Sequence, residues 1–391
     1  MGRDMALQQS EGVLSAVSST KDVELAAQEL ARQLIHPYLG FVLFFCSAEY
    51  DLDGLGQALE AHFGGVSLVG CTSAGEITPQ GYGRGCVVAL GFDLRCFSIA
   101  SVLIDEMERF NLLDAQQLVD GLVKNCRSNE LASIKGHSFA LTLLDGLSSR
   151  EELVLGALSA ALGSIPHFGG SAGDDNHLTH THVYHGGRFH SGAAVVVLFN
   201  TWLEFEVFST HHIQPSAEKL VVTSADSATR RVYELNAAPT AQEYAELIGV
   251  PVEALDLRAF AAYPLAVRIS DHYYVRSIQQ VHDDLSLTFY CAVENGIVLT
   301  AMHPGPLLPN LQQLFAGLEQ RLGPLLLTIG CDCFLRRLEI ENDGGVESVA
   351  TLLRQQRVIG FNTYGEQFDG MHINQTFTGV AIGRPVGRAE R

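Results

Sequence analysis

The pattern of hydrophobic and polar residues changes between helix-like and strand-like periods many times along the chain. Over residues 22–35, apolar residues recur at helical spacing, which predicts an amphipathic helix. The apolar run 38–46 predicts a buried strand directly after it. Further strand-like runs cover residues 86–92 and 97–104, and the short connection between these two favours antiparallel pairing.

A β-hairpin is predicted around Gly186 and Gly187, because two consecutive glycines supply the positive φ that a two-residue turn needs. This turn would set His185 opposite Arg188, and the residues two positions further out would also pair. Strand-like hairpins alternate with helical segments along the whole chain. The pattern therefore predicts an α+β (mixed α/β) fold with two related domains, whose largely antiparallel mixed sheets are flanked by helices.

The composition predicts three segments. Residues 1–21 are small and polar with weak periodicity, which is typical of a flexible N-terminal arm. The chain becomes polar again over residues 214–226, which predicts a domain boundary near residue 220. We therefore expect an N-terminal domain over residues 22–220 and a C-terminal domain over residues 221–391.

A Gly-rich segment is repeated within the chain. Residues 69–76 align with residues 359–366, and residues 168–174 form a looser third copy. Each copy suits a tight turn with exposed backbone N–H groups, so the repeat is either a fold element without chemistry or a ligand pocket. The candidate pocket residues are Cys71, Thr72, Ser73, Glu76, Asp174, Asp175, Tyr364 and Glu366.

Charge and motifs disfavour several classes of function. Asp and Glu number 44 against 25 Lys and Arg, and the formal net charge of −19 disfavours nucleic acids and anionic membrane surfaces as partners. The apolar runs are shorter than the roughly 20 residues of a membrane span, and the N-terminus does not resemble a signal peptide, which predicts a cytoplasmic protein. The Gly-rich turns lack the GxGxxG and P-loop spacings of nucleotide-binding proteins. The eight cysteines form no CxxC motif and are expected to be reduced and mostly buried.

Histidines are dense in one part of the chain, where five of the 15 lie between residues 177 and 190. On a strand, His180 and His182 lie on the same side about 7 Å apart, so both could bind Zn²⁺ or iron. Alternatively, one imidazole is the axial ligand of a haem, with an aromatic side chain against the haem face. The chain lacks CxxCH, so this haem would be held non-covalently. The candidate haem-binding residues are His177, His180, His182, His185, His190 and Tyr184.

Six motifs together resemble the FIST family. They occur in the order expected of a FIST N-terminal domain followed by a FIST C-terminal domain, over about residues 22–384. The motifs are LVGCTSAGEI (68–77), GGSAGDD (169–175), AAYPLAV (261–267), VRSIQQV (275–281), CDCFLRR (331–337), and GFNTYGEQ followed by INQTFT (360–367 and 373–378).

The resemblance implies a sensory or ligand-binding module, and not an enzyme. One bacterial subgroup of the family (NosP) binds haem, senses nitric oxide and acts with histidine kinases that control cyclic-di-GMP signalling and biofilm formation. We therefore expect a cytoplasmic nitric oxide sensor that binds haem b non-covalently and regulates a cytoplasmic hybrid histidine kinase.

Three alternatives stay open. The first is a FIST sensor for a small, amino-acid-like metabolite, bound between the Gly-rich turns without haem. The second is a metal-dependent hydrolase, which would use His180 and His182 together with Asp174 or Asp175. The third is an interaction adaptor without a ligand. A homo-oligomeric state is also left open by the sequence.

Overall fold

The computed structural model describes residues 12–175 and 177–384, and one order of elements occurs three times along them. Asp22 and Asp51 begin the first two helices, because their carboxylates accept the backbone N–H groups of Leu25 and Gly54. The first repeat contains β1 (Val13–Ser18), α1 (Val23–Leu34), β2 (Leu39–Ser47), α2 (Leu52–Phe63), β3 (Ser67–Ser73), β4 (Glu76–Thr78), β5 (Gly81–Gly83) and β6 (Val87–Asp93).

The second repeat has the same order, with a short 3₁₀ turn (Met107–Arg109) before its first helix. That helix begins with a capping box, in which Asn111 and Asp114 exchange hydrogen bonds between side chain and backbone. The repeat contains β7 (Phe97–Ile104), α3 (Leu112–Ser128), β8 (Ser138–Leu144), α4 (Glu151–Leu162), β9 (His167–Ser171), β10 (Val183–His185), β11 (Arg188–His190) and β12 (Ala194–Thr201).

The third repeat is interrupted after its first strand, β13 (Phe205–Thr210), by residues 213–304, which we call the insert. The insert contains β14 (Ile213–Asp226), β15 (Arg231–Leu235), β16 (Ala238–Pro239), α5 (Thr240–Ile248), a 3₁₀ turn (Val252–Ala254), α6 (Leu257–Ala262), β17 (Leu265–Ile269), β18 (His272–Arg276), β19 (Ile278–Val281), β20 (Leu287–Phe289) and β21 (Val298–Pro304). The repeat then resumes, with two helices in place of one between its parallel strands. It contains α7 (Leu307–Leu322), β22 (Leu325–Cys333), α8 (Phe334–Asn342), α9 (Val346–Gln355), β23 (Val358–Thr363), β24 (Glu366–Phe368), β25 (Met371–Ile373) and β26 (Phe377–Gly383).

Each repeat builds a mixed four-stranded sheet. In the first repeat the strand order is β1-β6-β2-β3, and only β2 and β3, which α2 connects, are parallel. The second and third repeats give the equivalent orders β7-β12-β8-β9 and β13-β26-β22-β23. These sheets confirm the predicted mixed α/β fold with largely antiparallel pairing.

Each repeat also donates its short hairpin to the sheet of another repeat. The β4–β5 hairpin pairs with β23, the β10–β11 hairpin with β3, and the β24–β25 hairpin with β9. The three exchanges complete a cycle and extend each sheet to six strands. The open edges of β3, β9 and β23 are thereby paired.

The inner faces of the three sheets share one hydrophobic core. Phe45 of the first repeat stacks on Phe361 of the third, with ring centroids 4.4 Å apart. Phe139 of the second repeat stacks on Phe199 at 4.8 Å and also contacts Phe205 of the third repeat at 4.8 Å. Fully buried aromatic rings of this size contribute much of the stability of a core.

The insert has its own sheet and core, and it contacts the three repeats at one end. Its strand order is β18-β17-β21-β14-β15-β20-β19, with β16 paired to β15. A separate buried cluster joins Ala261 and Tyr290 of the insert to Phe334 of α8 and to Ala74 and Tyr364, which follow β3 and β23. The insert therefore covers the segments that follow β3 and β23, two of the three Gly-rich segments.

Several local predictions are confirmed. The helix over 22–35 and the strand over 38–46 correspond to α1 and β2. The hairpin around Gly186 has the predicted register, with His185 opposite Arg188 and Val183 opposite His190. The eight cysteines are free; seven are buried, and Cys96 is partly exposed.

Two predictions are wrong. Within the predicted N-terminal arm, residues 13–18 form β1, because they pair along their whole length with β6; residues 1–11 lie outside the described residues. The strands β6 and β7 do not pair with each other, because the chain crosses from the first sheet to the second between them. Phe92 and Phe97 contact across this corner with ring centroids 5.2 Å apart, and both face the shared core.

Among residues 12–175 and 177–384, none of the helices combines the length and the apolar character that crossing a bilayer requires.

The close approach of β22 and β23 predicts a strict requirement for glycine at position 360. A Cβ atom at Gly360 would lie 1.8 Å from the carbonyl oxygen of Gly330. We expect Gly360→Ala to lower the free energy of unfolding by about 3 kcal/mol, because the two backbones must separate. The matched control is Gly121→Ala in α3, where open space surrounds the position and alanine should stabilise by about 0.5–1 kcal/mol. Urea denaturation measures both, and similar effects of the two substitutions would contradict the packing.

Candidate functional site

Three tight turns follow β3, β9 and β23, the equivalent strands of the three repeats. We call them turn 1 (residues 73–76), turn 2 (171–174) and turn 3 (363–366). Backbone hydrogen bonds join the three turns, either directly or through the residue that precedes a turn (Thr72 or Asn362). The contacts run from N–H to carbonyl oxygen: Ala74 to Asn362 (2.9 Å), Gly173 to Thr72 (3.1 Å) and Tyr364 to Ser171 (3.2 Å). The structure therefore brings the repeated Gly-rich segments together.

The buried carboxylates of turns 1 and 3 have equivalent surroundings. Glu76 accepts hydrogen bonds from the Ser73 hydroxyl (2.5 Å) and from the backbone of Cys86 (3.3 Å). Glu366 accepts hydrogen bonds from the Thr363 hydroxyl and from the backbone of Thr376 (3.0 Å). Burial raises the pKa of both carboxyl groups above the ordinary value, in the case of Glu366 to about 7. Both groups also connect their turn to the start of the strand that follows the hairpin.

The carboxylate of turn 2 has a different role. Asp174 accepts the backbone N–H groups of Leu178 (2.8 Å), Thr179 (2.6 Å) and His180 (2.9 Å), and it also accepts the Tyr364 hydroxyl of turn 3. Burial alone would raise the pKa of Asp174, but these hydrogen bonds lower it. This ionised carboxylate therefore fixes the loop before the β10–β11 hairpin. We call residues 182–190, which contain His182, His185 and His190, the histidine-rich hairpin.

The other predicted pocket residues are also used by the fold. Cys71 is fully buried, and burial raises the pKa of its thiol well above the ordinary value. Thr72 pairs with His182, since its N–H donates to the His182 carbonyl (2.9 Å) and its hydroxyl accepts the His182 N–H (3.0 Å). Asp175 accepts the hydroxyl of Ser47 (2.7 Å). The turns thus meet as predicted, while their polar groups bond mainly to one another; ligand binding there stays a prediction.

The five clustered histidines do not converge on one point. His185 is hydrogen-bonded to Ser101 (3.2 Å), and a ring nitrogen of His190 lies 3.1 Å from the carbonyl oxygen of His185. His177 and His180 are exposed. Tyr184 is fully buried in a core between β10 and α2, and its hydroxyl lies 3.1 Å from a carboxylate oxygen of Glu60.

His182 is different from its neighbours. Its Nδ1 atom is buried and has no hydrogen-bond partner among the described residues. Its ring lies edge-on to Phe189, with centroids 6.4 Å apart. Burial lowers the pKa of the imidazole, which favours the neutral form that binds metals.

Within the part of the chain that the structure describes, the predicted pair His180 and His182 is not joined by a third metal-ligating side chain. The one group of three such side chains there is Glu152, Cys291 and His372. Burial alone would lower the pKa of His372, but Cys291 and Glu151 raise it well above the ordinary value.

Sequence reasoning missed this second cluster. Glu152 lies in the first turn of α4, next to Glu151. Arg230 of the insert makes ion pairs with both, at 2.8 Å to Glu151 and 2.6 Å to Glu152. These residues and His372 are far apart in sequence, so their spacing carries no motif.

A cleft of about 400 Å³ lies between the insert and the third repeat. Both His211, directly after β13, and His272 of β18 line it, together with Tyr273, Asp369 and Met371. The Nδ1 atom of His211 is buried without a hydrogen-bond partner in the described chain. Burial lowers the pKa of His211, so this imidazole is neutral at physiological pH.

Family models match most of the chain. The FIST N domain matches residues 40–238, and the FIST C domain matches residues 240–369. The chain belongs to the FIST family. FIST domains are sensor domains of signalling proteins that bind small ligands.

The two FIST domains do not correspond to separate sheets in this protein. The β4–β5 hairpin lies in the FIST N region and pairs with β23 in the FIST C region. In return, the β24–β25 hairpin pairs with β9. The two FIST domains therefore share backbone hydrogen bonds in two of the three sheets.

Other comparisons are distant. No curated protein matches the sequence at a significant level. A crystal structure of cyanuric acid hydrolase from A. caulinodans aligns over 95% of this chain and 100% of that chain, with 10% identity and a TM-score of 0.40. At this level of similarity the comparison carries no functional argument.

The raised pKa of Glu366 predicts a pH dependence of stability. The ordinary pKa of a glutamate carboxyl is 4.5, and the pKa of Glu366 in the folded protein is about 7. At a pH between these two values, the carboxyl is ionised in the unfolded chain but keeps its proton in the folded protein. The contribution of Glu366 to stability is therefore present at low pH and is lost as pH rises through this range. Since Gln cannot ionise, we expect the stability of Glu366→Gln relative to the native chain to increase between pH 5 and 8.

Urea denaturation at several pH values measures this difference. The matched control is Glu341→Gln. Burial raises the pKa of Glu341, but Arg337 and Arg84 lower it further, so the pKa lies below the ordinary value. The carboxyl of Glu341 is therefore ionised from pH 5 to 8 in both the folded and the unfolded chain. The relative stability of this control should stay constant from pH 5 to 8. Equal pH dependence of the two variants would contradict the assignment of a protonated Glu366.

Proposed function

We propose that this FIST protein is a haem-based nitric oxide sensor in which His182 is the axial ligand of a non-covalent haem b. The observation that supports this proposal is the buried Nδ1 atom of His182, which has no partner in the described structure. The other four clustered histidines are either hydrogen-bonded (His185 and His190) or exposed (His177 and His180). Phe189 supplies an apolar neighbour of the kind that a haem face requires. The bound haem would supply the affinity for nitric oxide.

The position of His182 suggests how a signal would leave the site. Its backbone forms two hydrogen bonds with Thr72, the residue that precedes turn 1. A displacement of His182 would therefore move turn 1 against turn 3, to which it is bonded through Ala74 and Asn362. A coupling free energy of about 1–3 kcal/mol is sufficient for a useful switch.

In this proposal the chain passes its signal to a partner protein by binding to it and catalyses no reaction itself. We infer from the family resemblance that the sensor is cytoplasmic and regulates a hybrid histidine kinase, which in turn affects cyclic-di-GMP signalling and biofilm formation. The surface presented to the kinase would differ between the two positions of turn 1.

Substitution of His182 tests the haem proposal. We expect the purified native chain to bind about one haem and to show a Soret band that shifts with nitric oxide after anaerobic reduction. His182→Ala should weaken haem binding at least about tenfold or change the Soret band, because the axial ligand is lost. His180→Ala and His185→Ala are the matched controls and should keep the native spectrum. A native Soret band in His182→Ala, with circular dichroism confirming its fold, would refute this ligand.

A second candidate is a sensor for a small, amino-acid-like metabolite in the cleft beside the insert. The volume of about 400 Å³ lies in the usual range for ligand pockets, and the unpartnered His211 Nδ1 offers a hydrogen bond. A ligand there would contact both the insert and the β24–β25 hairpin.

Thermal stabilisation tests the second candidate. In a screen of amino acids and small carboxylates, at least one compound should raise the melting temperature of the native chain, since ligands that bind only the folded state stabilise it. His211→Ala should abolish that shift, whereas His282→Ala, on another part of the insert, should keep it. The absence of any shift in the native chain, or an equal shift in His211→Ala, would remove this candidate.

A further inference from the structure

One cluster of metal-ligating side chains lies away from the histidine-rich hairpin, where three parts of the molecule meet. Glu152 comes from α4 of the second repeat, Cys291 from the insert and His372 from the hairpin donated by the third repeat. A carboxylate oxygen, the thiol sulfur and a ring nitrogen of these residues lie within 4.8 Å of one another. In a tetrahedral zinc site the ligand atoms lie about 3.4 Å apart, so inward movements of about 1 Å complete the geometry.

Neighbouring groups hold each of these side chains in place. Glu152 accepts the backbone N–H of Ala292 through Oε1 (2.8 Å) and the Arg230 guanidinium through Oε2 (2.6 Å). Without a metal, the Cys291 thiol donates to the side-chain oxygen of Asn374 (3.1 Å); metal binding replaces this hydrogen bond, because the metal binds the thiolate. The Nδ1 atom of His372 lies 3.3 Å from Glu152. Such supporting contacts orient the ligands of natural metal sites.

The local charge also suits a divalent cation. Two carboxylates, Glu151 and Glu152, face the single guanidinium of Arg230. A metal binds the Cys291 sulfur as thiolate and the His372 imidazole in its neutral form, so it displaces the protons of both groups. The net charge of the group is then −2, which one divalent ion neutralises.

We propose that Glu152, Cys291 and His372 bind one Zn²⁺ ion, which joins the insert to the second and third repeats. The sulfur ligand favours a thiophilic metal over Mg²⁺ or Ca²⁺. A fourth position is available to water or to Glu151, whose Oε2 lies 3.6 Å from the His372 Nδ1. The ion enters past Glu152, because its side chain is 33% exposed while that of His372 is 1% exposed. This site is independent of the proposed haem ligand.

Cobalt substitution tests the site in the full-length protein. After chelation and removal of bound metal, titration with Co²⁺ should give about one ion per chain with a thiolate-to-cobalt charge-transfer band, and Zn²⁺ should displace it. Cobalt bound at the histidine-rich hairpin alone lacks a thiolate ligand and shows no such band. The spectrum of the native chain therefore decides between the two places without any variant, and absence of the band overturns the proposal.

Cysteine variants test whether Cys291 provides the thiolate that binds the metal. Cys291→Ala should lose the charge-transfer band and bind Zn²⁺ at least about tenfold more weakly. Cys96→Ala is the matched control, because it also removes one thiol but lies at a partly exposed position outside the cluster. It should keep the band and the affinity. A band that persists in Cys291→Ala, or that is lost in Cys96→Ala, would overturn the assignment.

Discussion

The exchange of β-hairpins between repeats is the constraint on which the rest of this structure depends. Without it, β3, β9 and β23 would each be a sheet edge with unpaired backbone groups. The hairpin from another repeat pairs with each of these strands. Because every repeat both gives and receives a hairpin, each of the three sheets needs residues that are distant in sequence. The shared core, in which Phe45 stacks on Phe361, therefore requires all three repeats.

The same exchange determines what the turns can do. The chain leaves its own sheet at turns 1, 2 and 3, so the three turns meet and their carboxylates are buried. Glu76 and Glu366 each connect their turn to the start of the strand after the hairpin. Asp174 instead fixes the loop before the histidine-rich hairpin. That hairpin lies on the sheet of the first repeat and bonds to it beside turn 1 through Thr72. The proposed ligand at His182 would thus be connected to both FIST domains by a few hydrogen bonds.

Local features of this fold could be predicted from the sequence, and long-range ones could not. The Gly186-Gly187 turn fixed the register of its hairpin, and apolar periodicity located α1 and β2. The repeated Gly-rich segment correctly indicated that turns 1, 2 and 3 are equivalent. The destination of each hairpin is set by packing in another repeat, which no local pattern records. The short β6–β7 connection suggested a pairing that does not exist, because the chain crosses there from the first sheet to the second. The Glu152, Cys291 and His372 cluster also joins separate elements, and no spacing in the sequence records it.

Hydrogen exchange of the full-length protein, followed by mass spectrometry in low denaturant, tests the cyclic exchange most directly. If the three sheets are held together by exchanged hairpins, the amides of β3, β9 and β23 should be exposed together in one cooperative opening with a single free energy. The insert, which has its own core, can open separately. Exposure of β3 and β9 at a free energy well below that of β23 would show that the repeats unfold independently, and would contradict the account.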